Sequence, residues 1–555
     1  MESVPAKTPF WVQVRSLPAN FWYANVMEMF ERLAFFSVSA IRALFLVAAT
    51  SSNGLGLSYT QKGTILSIWA ALQCLIPMVS GGYTDRYGYR KSLAVAFTIN
   101  TLGYLLMAHS KGLADVLGGR GLPDAGFWVF LFAACMVASG TAIFKPPVQG
   151  TIARVTTAET SSLGWGLFYW VVNIGGALAP AMAGSLRGEV DWRYVFYFAA
   201  GVTALNFLPA FLLYREPAHV PAAAGDEEQK GPFGVFCASI ANVFRDPRLV
   251  AFLLIFSCFW LMFMQLFDLL PNFIDEWVNT SDVAGFFGTI RHDWVTATGQ
   301  TKPEIIVNID AVTIILLVIP ISWLISRMHK VAAMIIGMLI ATFGFIGCGL
   351  TTIGWLCCVM IFVFAIGEMI CSPTFSAYIG LIAPPDKKAL YMGYSNIPLA
   401  IGWAVGNLLS GYAYEHFSSK VNLARHYLVH TLGLPNDLVA NTTALPGEQV
   451  VNSLAYIVKT GDGAAVCDAV SSLTQYTAKS PAAPEQITAA FERIVAQVDP
   501  AAVQHVTQLL WNAYHPQVVW FGLGAVGLIG TLGMIGFYFV TRGGGSGPAE
   551  SASAA

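Results

Sequence analysis

Four ionisable residues, Glu28, Glu31, Arg32 and Arg42, stand inside an otherwise apolar run from Asn25 to Leu46. Positions 28, 31 and 32 are spaced i, i+3 and i+4, so on a helix they project from one face. Carboxylates beside a guanidinium can take up and release a proton and can face a charged solute; the same set can also be a buried ion pair that only ties helices together. A charge near a bilayer centre costs roughly 2.5 kcal/mol or more, so this face must look into protein or a water-filled cavity. Lys145 and Glu368 are further charges in apolar runs. A lone cation there needs an anion, and Glu28 or Glu31 is the natural partner of Lys145.

The composition says where such residues must sit. Of 555 residues, 55% are hydrophobic and 11% charged, against about 25% charged in soluble domains. Mean hydropathy is +0.60, which places the chain in lipid. Net charge is −2, with no basic stretch of the kind that binds nucleic acid. The nine cysteines are scattered through apolar runs without metal-ligand spacing and read as small core hydrophobes. The first apolar segment is too long and too charged for a cleavable signal. No nucleophile–base arrangement or phosphate-cradling loop points to an enzyme, and no cofactor is expected.

Apolar runs long enough to cross hydrocarbon are expected at about 21–47, 58–83, 91–110, 126–148, 162–185 and 193–214, then at about 247–274, 305–326, 330–352, 354–383, 389–416 and 516–541. The pattern predicts an all-α membrane protein of about twelve spans in two six-helix bundles. The bundles cover residues 1–214 and 247–541, joined by a polar linker over 215–246. A polar stretch at 417–515 has helical patterning, as in Gln449–Lys459 and Pro484–Val498, and reads as an external cap or a merely solubilising insertion. The tail, 542–555, reads as disordered. Lys and Arg concentrate in the segments that are cytoplasmic if the N-terminus is inside, among them Arg86, Arg90, Lys91, Arg154, Lys387 and Lys388, so both termini are expected there. Lys111, Arg120, Arg187, Arg193, Arg291 and Lys302 fall in outer loops, with Lys62 at a boundary.

Between the second and third spans stands Gly81-Gly-Tyr-Thr-Asp85-Arg86-Tyr-Gly88-Tyr-Arg90-Lys91. Gly81 and Gly88 permit close packing and a tight turn, and Asp85 can cap a helix end. The segment resembles the loop motif G-x-x-x-D-R-x-G-R-R of the major facilitator superfamily, with Tyr89 in place of the first paired arginine. Four further stretches resemble proton-coupled oligopeptide transporters, a branch of that superfamily. Glu28-Met-Phe-Glu31-Arg32-Leu-Ala-Phe35-Phe36 is similar to E-x-x-E-R-F-x-Y-Y, and Gly140-Thr-Ala-Ile-Phe-Lys145-Pro146 to G-x-G-x-x-K-P. Phe168-Tyr169-Trp-Val-Val-Asn173-Ile-Gly175 resembles F-Y-x-x-I-N-x-G, and Gly367-Glu368-Met-Ile-Cys-Ser372-Pro373 resembles G-E-L-x-x-S-P.

The resemblance implies a symporter that takes up di- and tripeptides or peptide-like solutes with protons, by alternating access, as a monomer in the cell (inner) membrane. It assigns Glu28, Glu31, Arg32 and Lys145 to proton coupling. Arg42, Phe35, Tyr169, Asn173, Asn308, Glu368, Ser372 and Trp403 fall to substrate, and Gly81, Asp85, Arg86, Gly88 and Arg90 to a cytoplasmic gate motif. A guanidinium at Arg32 or Arg42 suits a carboxylate, and Glu368 suits an ammonium. One charge moved through 100 mV supplies about 2.3 kcal/mol, roughly fiftyfold accumulation per proton.

Departures from the family pattern bear on specificity and stoichiometry. Phe35-Phe36 lacks the tyrosine hydroxyls, and Met264 stands where Phe259-Trp260-Leu-Met-Phe-Met264-Gln265 would carry a glutamate. Asp268, one turn on, substitutes for it or is structural. Asp310 reads as a helix-end residue, and Ser395 competes with Trp403 for the family's tryptophan. Carriage of another small metabolite (an amino acid or an anion) is the alternative, as is a non-transporting receptor or scaffold that uses 417–515. The nine histidines all lie off mid-span, which disfavours the anion version.

Overall fold

The computed structural model describes residues 10–157, 160–187, 191–216, 234, 246–325, 328–382, 394–477 and 484–543. Most of the expected linker and nearly all of the tail lie outside the described residues, as do Lys387 and Lys388.

The described residues are almost wholly helical. The first long helices are α1 (Ala19–Val47), α2 (Tyr59–Tyr87), α3 (Tyr89–Ala108), α4 (Ala125–Val155), α5 (Ser161–Leu186) and α6 (Arg193–Leu205, with a wide turn at Pro209–Leu213). Next come α7 in three pieces (Pro247–Phe263, Gln265–Asp268, Leu270–Trp277), α8 in two (Pro303–Val307, Ile309–Ile325), α9 (Lys330–Gly349), α10 (Gly354–Ile382) and α11 (Asn396–Phe417). The 417–515 stretch holds α12 (Lys420–His430), α13 (Gly447–Thr460), α14 (Gly463–Thr477), α15 (Pro484–Val495) and α16 (Pro500–Tyr514), and α17 (Val518–Gly543) follows. Among the described residues, nine helices are long and apolar enough to cross a membrane: α2 to α7, α9, α10 and α17. Of the other long ones, α1 carries four charges, α8 is broken at Asn308, and α11 is rich in Gly, Asn and Tyr.

Polar and apolar surfaces are inverted relative to a water-soluble fold. Leu316, Phe343 and Leu532 are 68%, 65% and 66% exposed, whereas Glu28, Glu31, Arg32 and Arg42 are buried. Such an outside is solvated by lipid tails, and buried backbone groups are satisfied within each helix. Buried apolar residues from Leu17 to Tyr214 form two clusters, which take in Ala400 and Trp403 of α11. Most of those from Leu249 to Met534 form another, joined by Tyr59 of α2, and Ile325, Ala333 and Ile370 form a small one of their own.

Two breaks in α7 matter for the site. Pro271 has no N–H for the Phe267 carbonyl, and the Asn272 N–H turns to the Leu269 carbonyl. The Asp268 carbonyl is thereby released from the helix ladder for another donor. The 417–515 helices seat on the tip of α7: Trp277 Nε1 donates to the Ser418 carbonyl at 2.9 Å, and the Trp511 ring lies 5.8 Å from that of Trp277 and 6.1 Å from Phe273. The insertion is thus anchored to a helix of the core.

Candidate functional site

A cavity of about 250 Å³ lies where α1 and α5 meet α7, α8, α10 and α11. Phe35, Phe36, Ser39, Arg42 and Asn173 line one wall; Met264, Glu304, Asn308, Asp310, Glu368 and Trp403 line the other. Arg42 is 2% exposed and stacks near Trp69 at 4.7 Å and Trp403 at 5.8 Å. Its Nη2 donates to Asp268 Oδ1 at 2.8 Å, while Nε and Nη1 have no hydrogen-bond partner. Asp268 Oδ2 accepts from Trp403 Nε1 at 2.5 Å and from Asn407 Nδ2 at 3.1 Å. One arginine edge is therefore spoken for, and two donors remain for an anionic group.

Polar contacts join the two sides at the insertion end of the bundle, many of them to main-chain oxygens. Lys62 Nζ donates to the freed Asp268 carbonyl at 2.8 Å and to Asn272 Oδ1 at 2.7 Å, and Asn272 Nδ2 donates to the Ala43 carbonyl at 2.9 Å. Tyr59 donates to Glu276 at 2.6 Å, Arg187 pairs with Glu304 at 3.2 Å, and Lys302 Nζ donates to the Gly184 carbonyl at 2.7 Å. On the surface where α2 crosses α11, a Cβ on Gly63 would lie 2.3 Å from the Asn407 carbonyl oxygen. These contacts seal the cavity at that end. Sequence reasoning placed Lys62, Arg187 and Lys302 in or beside outer loops; position near a span end hid their role, and the buried lysines became visible only with their acceptors.

The sequence-predicted residues divide into separate groups rather than one chamber. Arg42, Phe35, Asn173, Asn308, Glu368 and Trp403 line the cavity. Asn308 Nδ2 is held by the Ala177 carbonyl at 3.0 Å. Tyr169 and Ser372 are not in the lining: Tyr169 is 47% exposed, one turn along α5 from Asn173 and away from the insertion end. Ser372 sits one turn beyond Glu368. Asp310 does lie in the first turn of the second α8 piece, as expected of a helix-end residue, but it is 2% exposed and lines the cavity.

Glu28, Glu31 and Arg32 form a second centre, outside the cavity lining. Arg32 Nε lies 3.2 Å from Glu28 Oε1 and donates to Glu31 Oε2 at 2.6 Å. Arg32 also lies 5.0 Å from the Phe35 ring centroid and 5.8 Å from that of Phe36, the two rings that face the cavity. The expected partnership of Lys145 with Glu28 or Glu31 is corrected, since among the described residues Lys145 makes no ion pair within 4 Å. Both carboxylates are taken by Arg32, whose i−4 and i−1 neighbours they are, and local helix geometry beats the cross-helix route.

In the loop motif, Gly88 has φ +102°, which favours glycine, and it closes α2 and opens α3. Glu216 accepts from Tyr89 N at 2.5 Å and Arg90 N at 3.1 Å, capping α3, and Arg90 donates to the Phe211 carbonyl. Gly81, Asp85 and Arg86 lie in the last turns of α2; the side chains of Asp85 and Arg86 fall outside the described ones.

The description of the Major Facilitator Superfamily matches residues 33–276 and 283–425. The chain belongs to that superfamily. It is a multi-pass integral membrane transporter of a superfamily that works on small solutes, not an enzyme. Among relatives, "Multidrug resistance protein MdtH" of Yersinia enterocolitica is 23% identical over 406 residues, 73% of this chain and 88% of that one. "Peptide transporter YePEPT" of the same species is 26% identical over 192 residues, 34% of each chain. The superfamily fold is also that of a POT family transporter in complex with 5-aminolevulinic acid, with TM-score 0.58, 17% identity and coverage of 73% of this chain and 94% of that one. A peptide transporter POT in complex with sulfate is likewise similar, with TM-score 0.58, 16% identity and coverage of 92% and 97%.

Proposed function

We propose that this superfamily member is a proton-coupled symporter that takes up di- and tripeptides or peptide-like solutes through the α1–α11 cavity by alternating access. One observation carries the reading: a buried guanidinium with two unpartnered donors and a buried acid pair line the same cavity. That layout suits a solute with a carboxylate at one end and an ammonium at the other. The solved relative bound to 5-aminolevulinic acid, which has those two groups, supports it, as does the peptide transporter YePEPT.

Coupling is assigned to Asp268. Protonation would end its pairing with Arg42, leave the guanidinium free for substrate and loosen the sealed end, so that the proton biases a two-state bundle. Glu28, Glu31, Arg32 and Lys145 are a second candidate coupling centre. The test is uptake of radiolabelled dialanine into proteoliposomes with an acidic exterior and a negative interior; no uptake above protein-free vesicles overturns the reading.

A second reading is export of apolar cations, favoured by the MdtH relatives that span 73% of this chain and by the acidic wall of the cavity. It predicts proton efflux from acid-loaded vesicles on addition of a lipophilic cation, and no dialanine uptake.

A further inference from the structure

The first turn of α12, where the 417–515 stretch begins, touches both carboxylates that receive the tip of α2. Glu276, next to last in the third piece of α7, accepts at Oε1 from the Tyr59 hydroxyl of α2 at 2.6 Å. Its Oε2 accepts from the Tyr414 hydroxyl of α11 at 2.9 Å and from the main-chain N–H of Lys420, the first residue of α12, at 3.0 Å. Glu415, in the last turn of α11, accepts at Oε2 from the Thr60 N–H at 2.7 Å, one of the donors that the start of α2 cannot use within its own ladder. The Glu415 carbonyl in turn accepts from the Asn422 side-chain amide of α12 at 3.0 Å.

Tyr59 and Thr60 stand on one side of this seam; Glu276, Tyr414, Glu415, Lys420 and Asn422 stand on the other. The two backbones touch there, since a Cβ on Gly411 would lie 2.5 Å from the Tyr59 carbonyl oxygen. The α12 turn is itself fixed at both ends of the stretch. Ser419 caps it by accepting from the Asn422 N–H at 3.4 Å, and the Ser418 hydroxyl donates to the Pro516 carbonyl.

We propose that Lys420, through its main-chain N–H, is a positioning residue of this seal: it keeps the Glu276 carboxylate aimed at α2 and so biases the carrier toward the form closed on the insertion side. Alternating access rocks one bundle against the other and must part the seam to admit solute from that side. Tyr59 and Thr60 then leave with α2, whereas the Tyr414 and Lys420 donors stay on the side of Glu276. The carboxylate is still in place when α2 returns, and the rotamer freedom that closing would otherwise freeze has been given up beforehand. On this account the 417–515 stretch takes part in the cycle through its first turn and is not merely a solubilising insertion.

The inference rests on alternating access within the proposed reading but on neither its solute nor its proton, so the test uses no substrate. The first position of a helix tolerates proline, and Lys420→Pro deletes the N–H that Glu276 accepts. Lys420→Met is the control, because both variants lose the ammonium and only one loses the N–H. A cysteine placed at Ser39 in the full-length protein, in vesicles of one known orientation, is labelled with a membrane-impermeant maleimide from each side. Lys420→Pro should label at least about threefold faster than Lys420→Met from the insertion side and more slowly from the opposite side. In a Tyr59→Phe background, where α2 brings no hydroxyl to Glu276, the two should label alike. Equal rates without that background, faster labelling from both sides as in a loosened fold, or an undiminished difference in Tyr59→Phe overturns the proposal. If no variant, Gly63→Leu included, exposes the cysteine to the insertion side, the alternating access beneath both the inference and the proposed function falls with it.

Discussion

Arg42 Nη2 and Asp268 Oδ1 lie 2.8 Å apart although 226 positions separate them in the chain. The pair is almost fully buried, with side-chain exposures of 2% and 1%, and it touches both the cavity and the sealed end. Breaking one partner of a buried pair leaves the other charge uncompensated, a cost of about 3–5 kcal/mol. On the proposed reading, a proton and an anionic solute would both act on this one contact.

Asp268→Asn keeps the shape and an acceptor for Trp403 and Asn407 but removes the carboxylate to which coupling is assigned. Gradient-driven dialanine uptake should fall at least about tenfold, while counterflow exchange at equal pH continues. Loss of both to the same degree would make Asp268 structural.

Arg42→Lys is not conservative here. A lysine cannot bridge Asp268 while keeping two donors for a carboxylate. Loss of a charge-assisted hydrogen bond worth about 1.5–3 kcal/mol should weaken dialanine binding about tenfold to a hundredfold. Dialanine amide, which has no carboxylate, should lose much less. Calorimetry on both ligands checks it.

The sealed end should respond to alkali through Lys420. Its Nζ donates to the Glu276 carbonyl at 2.6 Å, and burial pushes its ammonium from 10.5 down to about 8, with Glu276 and Asp275 opposing the fall. Opened to water, the group regains its ordinary value, so between pH 8 and 10.5 the sealed form binds fewer protons than the open one. Sealing strengthens as pH rises through that window and is flat below it. Labelling of a cysteine placed at Ser39, from the insertion side, should slow between pH 8 and 10, and Lys420→Met should abolish the slope.

Gly63→Leu should act in the opposite sense. With the Asn407 carbonyl 2.3 Å from a Cβ at this position, the α2–α11 crossing cannot close around a side chain. The same cysteine should label faster from the insertion side, at unchanged pH.

Trp511→Ala tests the seat of the insertion. Removing a ring that packs on Trp277 and Phe273 should destabilise the fold by about 2 kcal/mol and lower the Tm, with dialanine affinity unchanged. Loss of affinity would tie α12–α16 to the substrate site.

How much of this was legible in the sequence depended on whether a residue stood out against its neighbours. Glu28, Glu31, Arg32 and Arg42 did, since charges in an apolar run have few destinations. Their partners did not. Whether Arg32 or Lys145 would hold the carboxylates turned on three-dimensional distance, and the local neighbour won. Asp268 was visible as a substitute one turn beyond Met264, but its bond to Arg42 depends on the α7 break at Leu269, which Pro271 foreshadows without fixing its direction. Asp310 reads as a helix-end acid and does stand in the first turn of the second α8 piece, but nothing in its sequence neighbourhood signals that this turn faces the cavity. The long helices, by contrast, followed closely from the apolar runs, α1 extending to Ala19–Val47 where about 21–47 was expected.

Lys62, Lys302, Asn272 and Asn308 all fasten one side of the protein to the other by gripping backbone oxygens, those of Asp268, Gly184, Ala43 and Ala177. A carbonyl is present whatever residue bears it. The fastenings themselves therefore set no condition on the side chains at positions 43, 177 and 184, and paired substitutions across them will leave little statistical trace. A clasp of this kind can outlast the erosion of recognisable sequence around it.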